Sequence, residues 1–415
     1  MTARNVAAFR AGALRGRIRV PGDKSISHRA LILAACSPQP IEIRNLNPGR
    51  DVLATRLALE AIGSGSGELR DPAQSIDCMN SGSTARMMMG VCAGANLRAR
   101  FDGDESLRRR PMEPVAAQLR AFGARIETAN GTLPATVQGT DRPQTRRFIL
   151  LSPSAQIKSA LLLAGVFSGT AVTTLGDKHS RDHTERLLQY FGADISFDGT
   201  TVELRSGPRE FGDVDVAGDF SAAAFFMVAA TIAPGSRIVI EDVGVNPTRT
   251  GLLDALIEMG ARIRLENARE RCGEPVADIA VESAALRGIS VGAQTAVRAI
   301  DEIPVLAVAA AFAAGETKIA GVQDLRTKES DRIAAIERLL SAAGIRAEAA
   351  GNGLLVRGGT PRCSGATIET HGDHRTAMAA AVLAAGAGDL AIDDEAAIAV
   401  SFPDFIGALR EAQAA

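Results

Sequence analysis

The chain has no tryptophan and a single tyrosine, Tyr190. A groove that stacks nucleic-acid bases therefore has no tryptophan and one tyrosine to draw on. Charge of one sign is also missing: 46 Lys and Arg stand against 48 Asp and Glu, a formal net charge of -2, so no diffuse field draws the protein to a polyanion or an anionic membrane. Any anion binding has to be local. The five cysteines, Cys36, Cys78, Cys92, Cys272 and Cys363, are scattered without a CxxC pair, which argues against a disulfide framework and for a reduced, cytoplasmic chain. Apolar runs such as LLLAGVF and FFMVAATIA are too short to cross a bilayer, and MTARNVAAFRAGALRGR lacks the continuous apolar stretch of a signal peptide. Lysine is scarce too, with only Lys24, Lys158, Lys178, Lys318 and Lys328, so the basic content is overwhelmingly arginine.

What the sequence does contain is repetition. With 415 residues and 46% hydrophobic content, two cores are the expectation. An Ala-rich phrase recurs six times: RALILAACSP, ARMMMGVCAG, KSALLLAGVFSG, SAAAFFMVAATIAPG, PVLAVAAAFAAG and RTAMAAAVLAAGAG. A second phrase is a helix closing into glycine before a strand, at Gly63, Gly123, Gly192, Gly260 and Gly344; a sixth helical phrase, DFIGALREA, ends the chain without its strand. Glycine past the last helical turn takes up the left-handed conformation that closes a helix, and the alternation of RIE or RIRL suits a half-buried strand. Six copies of one α/β module follow, three to a domain. The Ala-rich helices are apolar on most faces, which predicts helices inside and sheets outside them. Residues 217–221 are a plausible crossing between domains, with Asp219 or Ser221 capping the next helix.

Several helix entrances carry anion-binding chemistry. In PGDKSISHR, Ser25 or Ser27 can start a helix holding Arg29, with Lys24 beside its positive end. In MNSGSTARMMMG, Asn80, Ser81, Ser83 and Thr84 surround Gly82, which permits close backbone approach, and Arg86 can face the same end. DESLRRRPMEPV sets Arg108, Arg109 and Arg110 before a proline, so that one of them can fork onto a phosphate. Ser154, Ala155 and Gln156 open another helix, and Arg181 stands at the next. Each window alone can also be read as a capped helix or a basic turn. There is neither a GxxxxGK[ST] loop nor a GxGxxG opening a dinucleotide fold.

The carboxyl-terminal half differs. Asp301 and Glu302 lie in IDEIPVLAVAAAF; Lys328, Glu329 and Arg332 in LRTKESDR; and Asp373, His374 and Arg375 in HGDHRTAM. Cations there can neutralise phosphate and carboxylate, and acids can move protons between carbon and oxygen. Lys328 and Arg332 share a helix face if the segment is helical. His371 and His374 flank Asp373, but no HExxH or complementary Cys/His set accompanies them and Arg375 opposes a dication, so they read poorly as metal ligands. His28, His179 and His183 read as local hydrogen-bond partners.

Taken in order, PGDKSISHR, the Gly-Ser-Thr turn, SLRRRPM, SAQIKSALLLAG, RDHTERLL, NPTRTG, DEIPVLAVAAAFA, LRTKESDR, DHRTAM and SFPDF resemble the 3-phosphoshikimate 1-carboxyvinyltransferase (5-enolpyruvylshikimate-3-phosphate synthase) family of enolpyruvyl transferases, over about residues 14–410. The resemblance implies a two-domain inside-out α/β barrel with three βαβαββ-like units per domain. Residues 1–19 and 219–415 would form one lobe with the phosphoenolpyruvate and acid-base groups, and 20–218 the other. It implies transfer of the enolpyruvyl group from phosphoenolpyruvate to the 5-hydroxyl of shikimate 3-phosphate by a monomer, without nucleotide, organic cofactor or metal. Lys24, Ser25, Arg29, Ser154, Ala155, Gln156, Arg181, Asp301 and Lys328 would meet shikimate 3-phosphate. Lys24, Gly82, Arg110, Gln156, Arg332 and Arg375 would meet phosphoenolpyruvate. Asp301, Glu329, Lys328 and Lys24 would carry the chemistry, with Asp301 the preferred base for the hydroxyl and Glu329 the preferred proton carrier at the enol carbon.

Two departures and two alternatives bear on this. Many relatives place a lysine before the hydroxyl-Phe-Pro turn, where this chain has Val400 before Ser401; one phosphate contact is then absent or supplied elsewhere. Gly82 resembles the arrangement associated with glyphosate sensitivity. A related enolpyruvyl transferase acting on a uridine-diphosphate amino sugar is expected to open with Lys-Asn, where this chain reads Lys24-Ser25. A nonenzymatic repeat protein that binds a phosphorylated metabolite would leave Asp301 and Glu329 without purpose.

Overall fold

The computed structural model describes residues 6–64, 68–144, 147–151, 154–176 and 180–414. The chain divides into two compact units. The carboxyl-terminal unit comprises Met1–Asp23, Ala217–Arg269 and Pro275–Ala415; the amino-terminal unit comprises Lys24–Val216 and Glu270–Glu274. The crossings thus fall a few residues from 19/20 and 218/219, because the two strands of the carboxyl-terminal unit stay paired that far: Gly22 bridges Gly218, and the Asp23 N–H donates to the Ala217 carbonyl at 2.7 Å.

Each unit contains two four-stranded sheets of one design. In the amino-terminal unit Ile76–Asp77, Arg98–Asp102, Thr132–Gln138 and Arg125–Ala129 lie side by side, and Arg147–Ile149, Val172–Leu175, Thr201–Ser206 and Asp194–Phe197 repeat the order. The carboxyl-terminal unit does the same with Arg15–Arg19, Arg237–Gly244, Glu274–Glu282 and Arg262–Arg271, and with Ser290–Val291, Glu316–Ile319, Gly353–Arg357 and Arg346–Ala350. In all four the first pair is parallel and the second antiparallel. A parallel pair needs a crossover, and the Ala-rich helix supplies it. Shorter sheets complete the set: Val214–Asp215 runs parallel to Ile43–Arg44, and Ala366–Ile368 parallel to Leu390–Ile392. The strand that the final helix, Phe405–Ala414, lacks after it comes from the start of the chain, where Ala7–Phe9 pairs antiparallel with Leu390–Ile392.

The helices lie inside, as their composition predicts. Phe220–Ile232 and Ile303–Ala311 are buried along their whole length. A helix without a polar stripe has no face to offer water. In the amino-terminal unit, helices Gly82–Gly94 and Ala155–Ser168 touch backbone to backbone: a Cβ on Gly90 would sit 2.2 Å from the Ala160 carbonyl oxygen, and one on Gly94 2.2 Å from that of Ala164. The helix-closing glycines Gly63, Gly123, Gly192, Gly260 and Gly344 all have positive φ. The SFPDF motif is a packing element, since Phe402 and Phe405 stack edge-on and meet Phe226 at 6.2 and 5.6 Å. Among the described residues no helix is long and apolar enough to cross a membrane.

Candidate functional site

Helix starts converge in each unit, and the polar residues gather there. In the amino-terminal unit the helix Lys24–Ala34 begins at Lys24 itself. Neither Ser25 nor Ser27 caps it: Ser27 is buried and its Oγ accepts the Asn47 N–H at 3.0 Å, tying down the following loop. Lys24 Nζ meets Asp51 Oδ2 at 2.8 Å, which uses one of its three N–H donors. Arg29 is buried, and its guanidinium braces three segments through Nε to Thr184 Oγ1 (2.6 Å), Nη1 to the Ser25 carbonyl (2.8 Å) and Nη2 to Ser159 Oγ (2.7 Å). His28 shares a buried hydroxyl chain with Thr55 and Thr84, each link 2.7 Å.

The second entrance is the cap of Gly82–Gly94, where Ser81 Oγ accepts the Thr84 N–H at 3.1 Å. Arg110 turns back to it, Nη2 donating to Asn80 Oδ1 at 2.9 Å, while Arg108 and Arg109 pair outward with Asp102 and Glu105. Gly82 faces both cations closely: a Cβ there would stand 2.7 Å from Arg86 Nη1 and 3.2 Å from Arg110 Nη1. The third entrance is Ala155–Ser168, where Ser154 Oγ accepts the Ile157 N–H at 3.4 Å. Gln156 joins it to the second, accepting from Arg86 Nη1 at 2.7 Å and donating to Ser83 Oγ at 2.9 Å. Ser154, Ala155 and Arg181 are all half-buried, and Arg181 sits just before the helix His183–Tyr190. Three helix amino termini, with their unsatisfied N–H groups, and the cations Lys24, Arg86 and Arg110 are thus tied into one hydrogen-bonded region. His179 lies outside the described residues.

Below this region Lys158 and Glu185, each 1% exposed, form an ion pair at 2.5 Å that joins the third entrance helix to His183–Tyr190. His183 Nδ1 donates to Glu274 Oε1 at 2.7 Å. Both histidines therefore serve as hydrogen-bond partners.

The carboxyl-terminal unit repeats the device with carboxylates as caps. Asp219 Oδ1 accepts the Ser221 N–H at 2.7 Å, Asp331 Oδ1 the Ala334 N–H at 3.1 Å and Asp373 Oδ1 the Arg375 N–H at 2.9 Å. Lys328 and Arg332 do not share a helix. The chain makes a 3-10 turn over Gln323–Thr327, and the helix Arg332–Ser341 starts only after Asp331, whose side chain competes for the backbone donors and ends the run of KESDR. Arg332 is 1% exposed and ringed by carboxylates: Asp373 Oδ2 at 2.9 Å from Nε, Glu329 Oε2 at 2.7 Å from Nη2 and Asp301 Oδ1 at 3.5 Å from Nη1. Burial pulls its pKa down, and Asp373, Glu329 and Asp301 push it up by more, so the net shift is upward. Arg375 Nη2 lies 3.8 Å from Asp301 Oδ2, which puts Asp301 beside both guanidinium groups.

Arg332 Nη1 and Arg375 Nη1 are buried, yet neither has a hydrogen-bond partner among the described residues. Orphaned guanidinium N–H groups cost free energy unless something accepts from them, and a small dianion would. His371 is exposed and His374 buried, and Asp373 is committed to Arg332; among the described residues no group of three or more His, Cys, Asp or Glu is arranged to hold a metal ion. Burial pushes the thiols of Cys36 and Cys92 up to about 12, which leaves them poor nucleophiles.

The sequence alone did not point to Asp51 or Arg249 as site residues, and it named Ser221 only as a possible helix cap and Glu302 only beside Asp301. NPTRTG carries Arg249, but its partners Asp23, Asp219 and Glu302 come from distant segments.

Known proteins of one family are similar to this chain. A family model described as EPSP synthase (3-phosphoshikimate 1-carboxyvinyltransferase) matches residues 10–409. Curated proteins of that name from Gloeobacter violaceus and an Anaeromyxobacter species are 46% and 44% identical, covering 94% and 96% of this chain and 95% and 96% of their own. A solved EPSP synthase structure from Acinetobacter baumannii superposes with a TM-score of 0.86 at 36% identity over 98% of both chains. The enolpyruvyl transferase NikO from Streptomyces tendae, at 19% identity and a TM-score of 0.76 over 99% of this chain and 97% of its own, shares the fold.

Proposed function

We infer the chemistry from one premise: the chain belongs to the EPSP synthase (3-phosphoshikimate 1-carboxyvinyltransferase) family. It is an enzyme that transfers the enolpyruvyl group of phosphoenolpyruvate to shikimate 3-phosphate, in the biosynthesis of chorismate and the aromatic amino acids. The division of labour among its residues is our proposal, and the observation that carries it is the pair of buried, unaccepted Nη1 groups of Arg332 and Arg375.

In this reading Arg332 and Arg375, with Lys24, Gly82, Arg110 and Gln156, take the phosphate and carboxylate of phosphoenolpyruvate. Ser25, Arg29, Ser154, Ala155, Gln156 and Arg181 take shikimate 3-phosphate, with Lys24, Asp301 and Lys328 beside it. Glu329 gives a proton to the methylene carbon, which leaves the central carbon electrophilic. The 5-hydroxyl oxygen attacks that carbon as Asp301 takes its proton, forming a tetrahedral adduct. Loss of a proton from the new methyl group to Glu329 remakes the double bond as the C–O bond to phosphate breaks, and the proton held by Asp301 passes to the departing phosphate oxygen, giving 5-enolpyruvylshikimate 3-phosphate and the hydrogen phosphate dianion. The arginines and lysines stabilise the departing dianion, and fixed charges in a dry site act without reorganising. The enzyme works as a monomer in the cytoplasm, where its scattered thiols stay reduced.

Phosphate release and product formation measured with shikimate 3-phosphate and, separately, with a uridine-diphosphate amino sugar test the acceptor assignment. Turnover with the first alone is expected. Turnover with the amino sugar alone would overturn it.

A further inference from the structure

Ser221, Arg249 and Glu302 have no step in the chemistry above, yet they are 4%, 3% and 0% exposed and touch Arg375 as a group. We propose that they are positioning residues, which hold the Arg375 guanidinium so that its Nη1 meets the anionic donor. The proposal rests on the reading that Arg375 binds phosphoenolpyruvate.

A hydroxyl has one proton and two lone pairs. Ser221 uses all three: its proton goes to Glu302 Oε1, and Oγ accepts from Arg249 Nη2 at 2.7 Å and Arg375 Nη2 at 3.3 Å. The guanidinium is planar, so anchoring Nη2 while the helix start fixes the backbone also sets where Nη1 points. Glu302 Oε1 stands 3.8 Å from Arg375 Nη1, near enough to attract it and too far to accept a hydrogen bond, which leaves that donor for another anion.

Two cations on one oxygen repel, and Arg249 offsets this through its own surroundings. Asp23 lies 3.4 Å from Nη1, Asp219 3.4 Å from Nη2 and Glu302 3.8 Å from Nη2. Glu302 is thereby shared between Arg249 and Arg375. With Arg249 removed, Glu302 would have Arg375 as its nearest guanidinium and would close on Nη1, competing with substrate. Without the Ser221 hydroxyl, Nη2 would lose its anchor with the same result. Either change should weaken phosphoenolpyruvate binding and spare the other substrate.

The test is steady-state kinetics on Ser221→Ala, Arg249→Met, Arg249→Lys, Arg375→Met and the double variant Ser221→Ala/Arg375→Met, with circular dichroism to establish folding. Ser221→Ala and Arg249→Met are expected to raise KM for phosphoenolpyruvate about 10-fold, the size of one hydrogen bond to a charged group, with KM for shikimate 3-phosphate within about 2-fold. Arg249→Lys, which keeps the charge, should recover part of the loss. Adding Ser221→Ala to Arg375→Met should change nothing further, since a positioning residue acts only through the group it positions. Equal shifts in both KM values, or full additivity in the double variant, would overturn the inference. If Arg375→Met itself leaves KM for phosphoenolpyruvate unchanged, the underlying site reading fails instead. Should Ser221→Ala not fold, Ser221→Cys and the two Arg249 variants read the same outcome.

Discussion

Asp373 and Arg332 join two helix starts through a single carboxylate: Arg332 Nε donates to Asp373 Oδ2 at 2.9 Å, while Asp373 Oδ1 accepts the Arg375 N–H at the head of its own helix. Both side chains are essentially out of water, at 1% and 0% exposure. One residue thus places both of the arginines assigned to the donor. Asp373→Asn should raise KM for phosphoenolpyruvate at least ~10-fold and, by leaving Arg332 undercompensated, lower stability by about 3–5 kcal/mol in urea unfolding. An unchanged KM would show that Arg332 and Arg375 are held by other means.

The same pair sets a pH dependence. Burial pushes the Asp373 carboxyl up and Arg332 pulls it down by more, so it titrates below its ordinary value. A carboxylate with a depressed folded pKa adds stability that is complete above its unfolded value, about 3.9, and is lost as pH falls through the folded value. The stability gap between wild type and Asp373→Asn should therefore be constant from roughly pH 6 to 8 and shrink below about pH 4. A gap that grows on acidification would contradict the assignment.

Gly82 sits where any side chain would press on two cations, 2.7 Å from Arg86 Nη1 and 3.2 Å from Arg110 Nη1. Its φ is not positive, and alanine favours helices over glycine by about 1 kcal/mol, so Gly82→Ala should fold at least as well as wild type. Displacing the guanidinium ends should still raise KM for phosphoenolpyruvate, by about 10-fold or 1.4 kcal/mol. Kinetics and thermal melts on one preparation check both halves, and a lowered melting temperature with an unchanged KM would refute the steric argument.

Much of this architecture is legible in the sequence. The six-fold repeat shows because the Ala-rich crossover helix and the glycine that closes its neighbour are local features, and Gly63, Gly123, Gly192, Gly260 and Gly344 all take the positive φ that their position after a helix requires. Caps at Ser81, Ser154 and Asp219 are local for the same reason. What stayed hidden depends on pairing between segments. Lys24 finds Asp51, 27 residues away, and Arg29 finds Thr184, 155 residues away; neither separation has a periodic signature. Lys328 and Arg332 would share a face only if KESDR were helical, and Asp331 instead caps the helix that starts at Arg332.

Lys158 and Glu185 make a hidden pair of this kind with a stability consequence. Removing one partner of a fully buried ion pair strands the other, whereas removing both leaves an apolar contact. Lys158→Met should cost about 3–5 kcal/mol, and adding Glu185→Leu should recover most of it. Chemical denaturation of the two variants decides the matter: a double variant no more stable than the single one would mean that the pair has no such coupling.

In the proposed mechanism transfer runs by protonation of the donor's methylene carbon and its later deprotonation, with Glu329 as the carrier. Proton NMR of the reaction in deuterium oxide tests it most directly. The wild-type enzyme, given both substrates, should place deuterium in the vinyl group of the product and of recovered phosphoenolpyruvate, and Glu329→Gln should slow that incorporation at least ~10²-fold. Product whose vinyl group keeps both original protons would contradict the account.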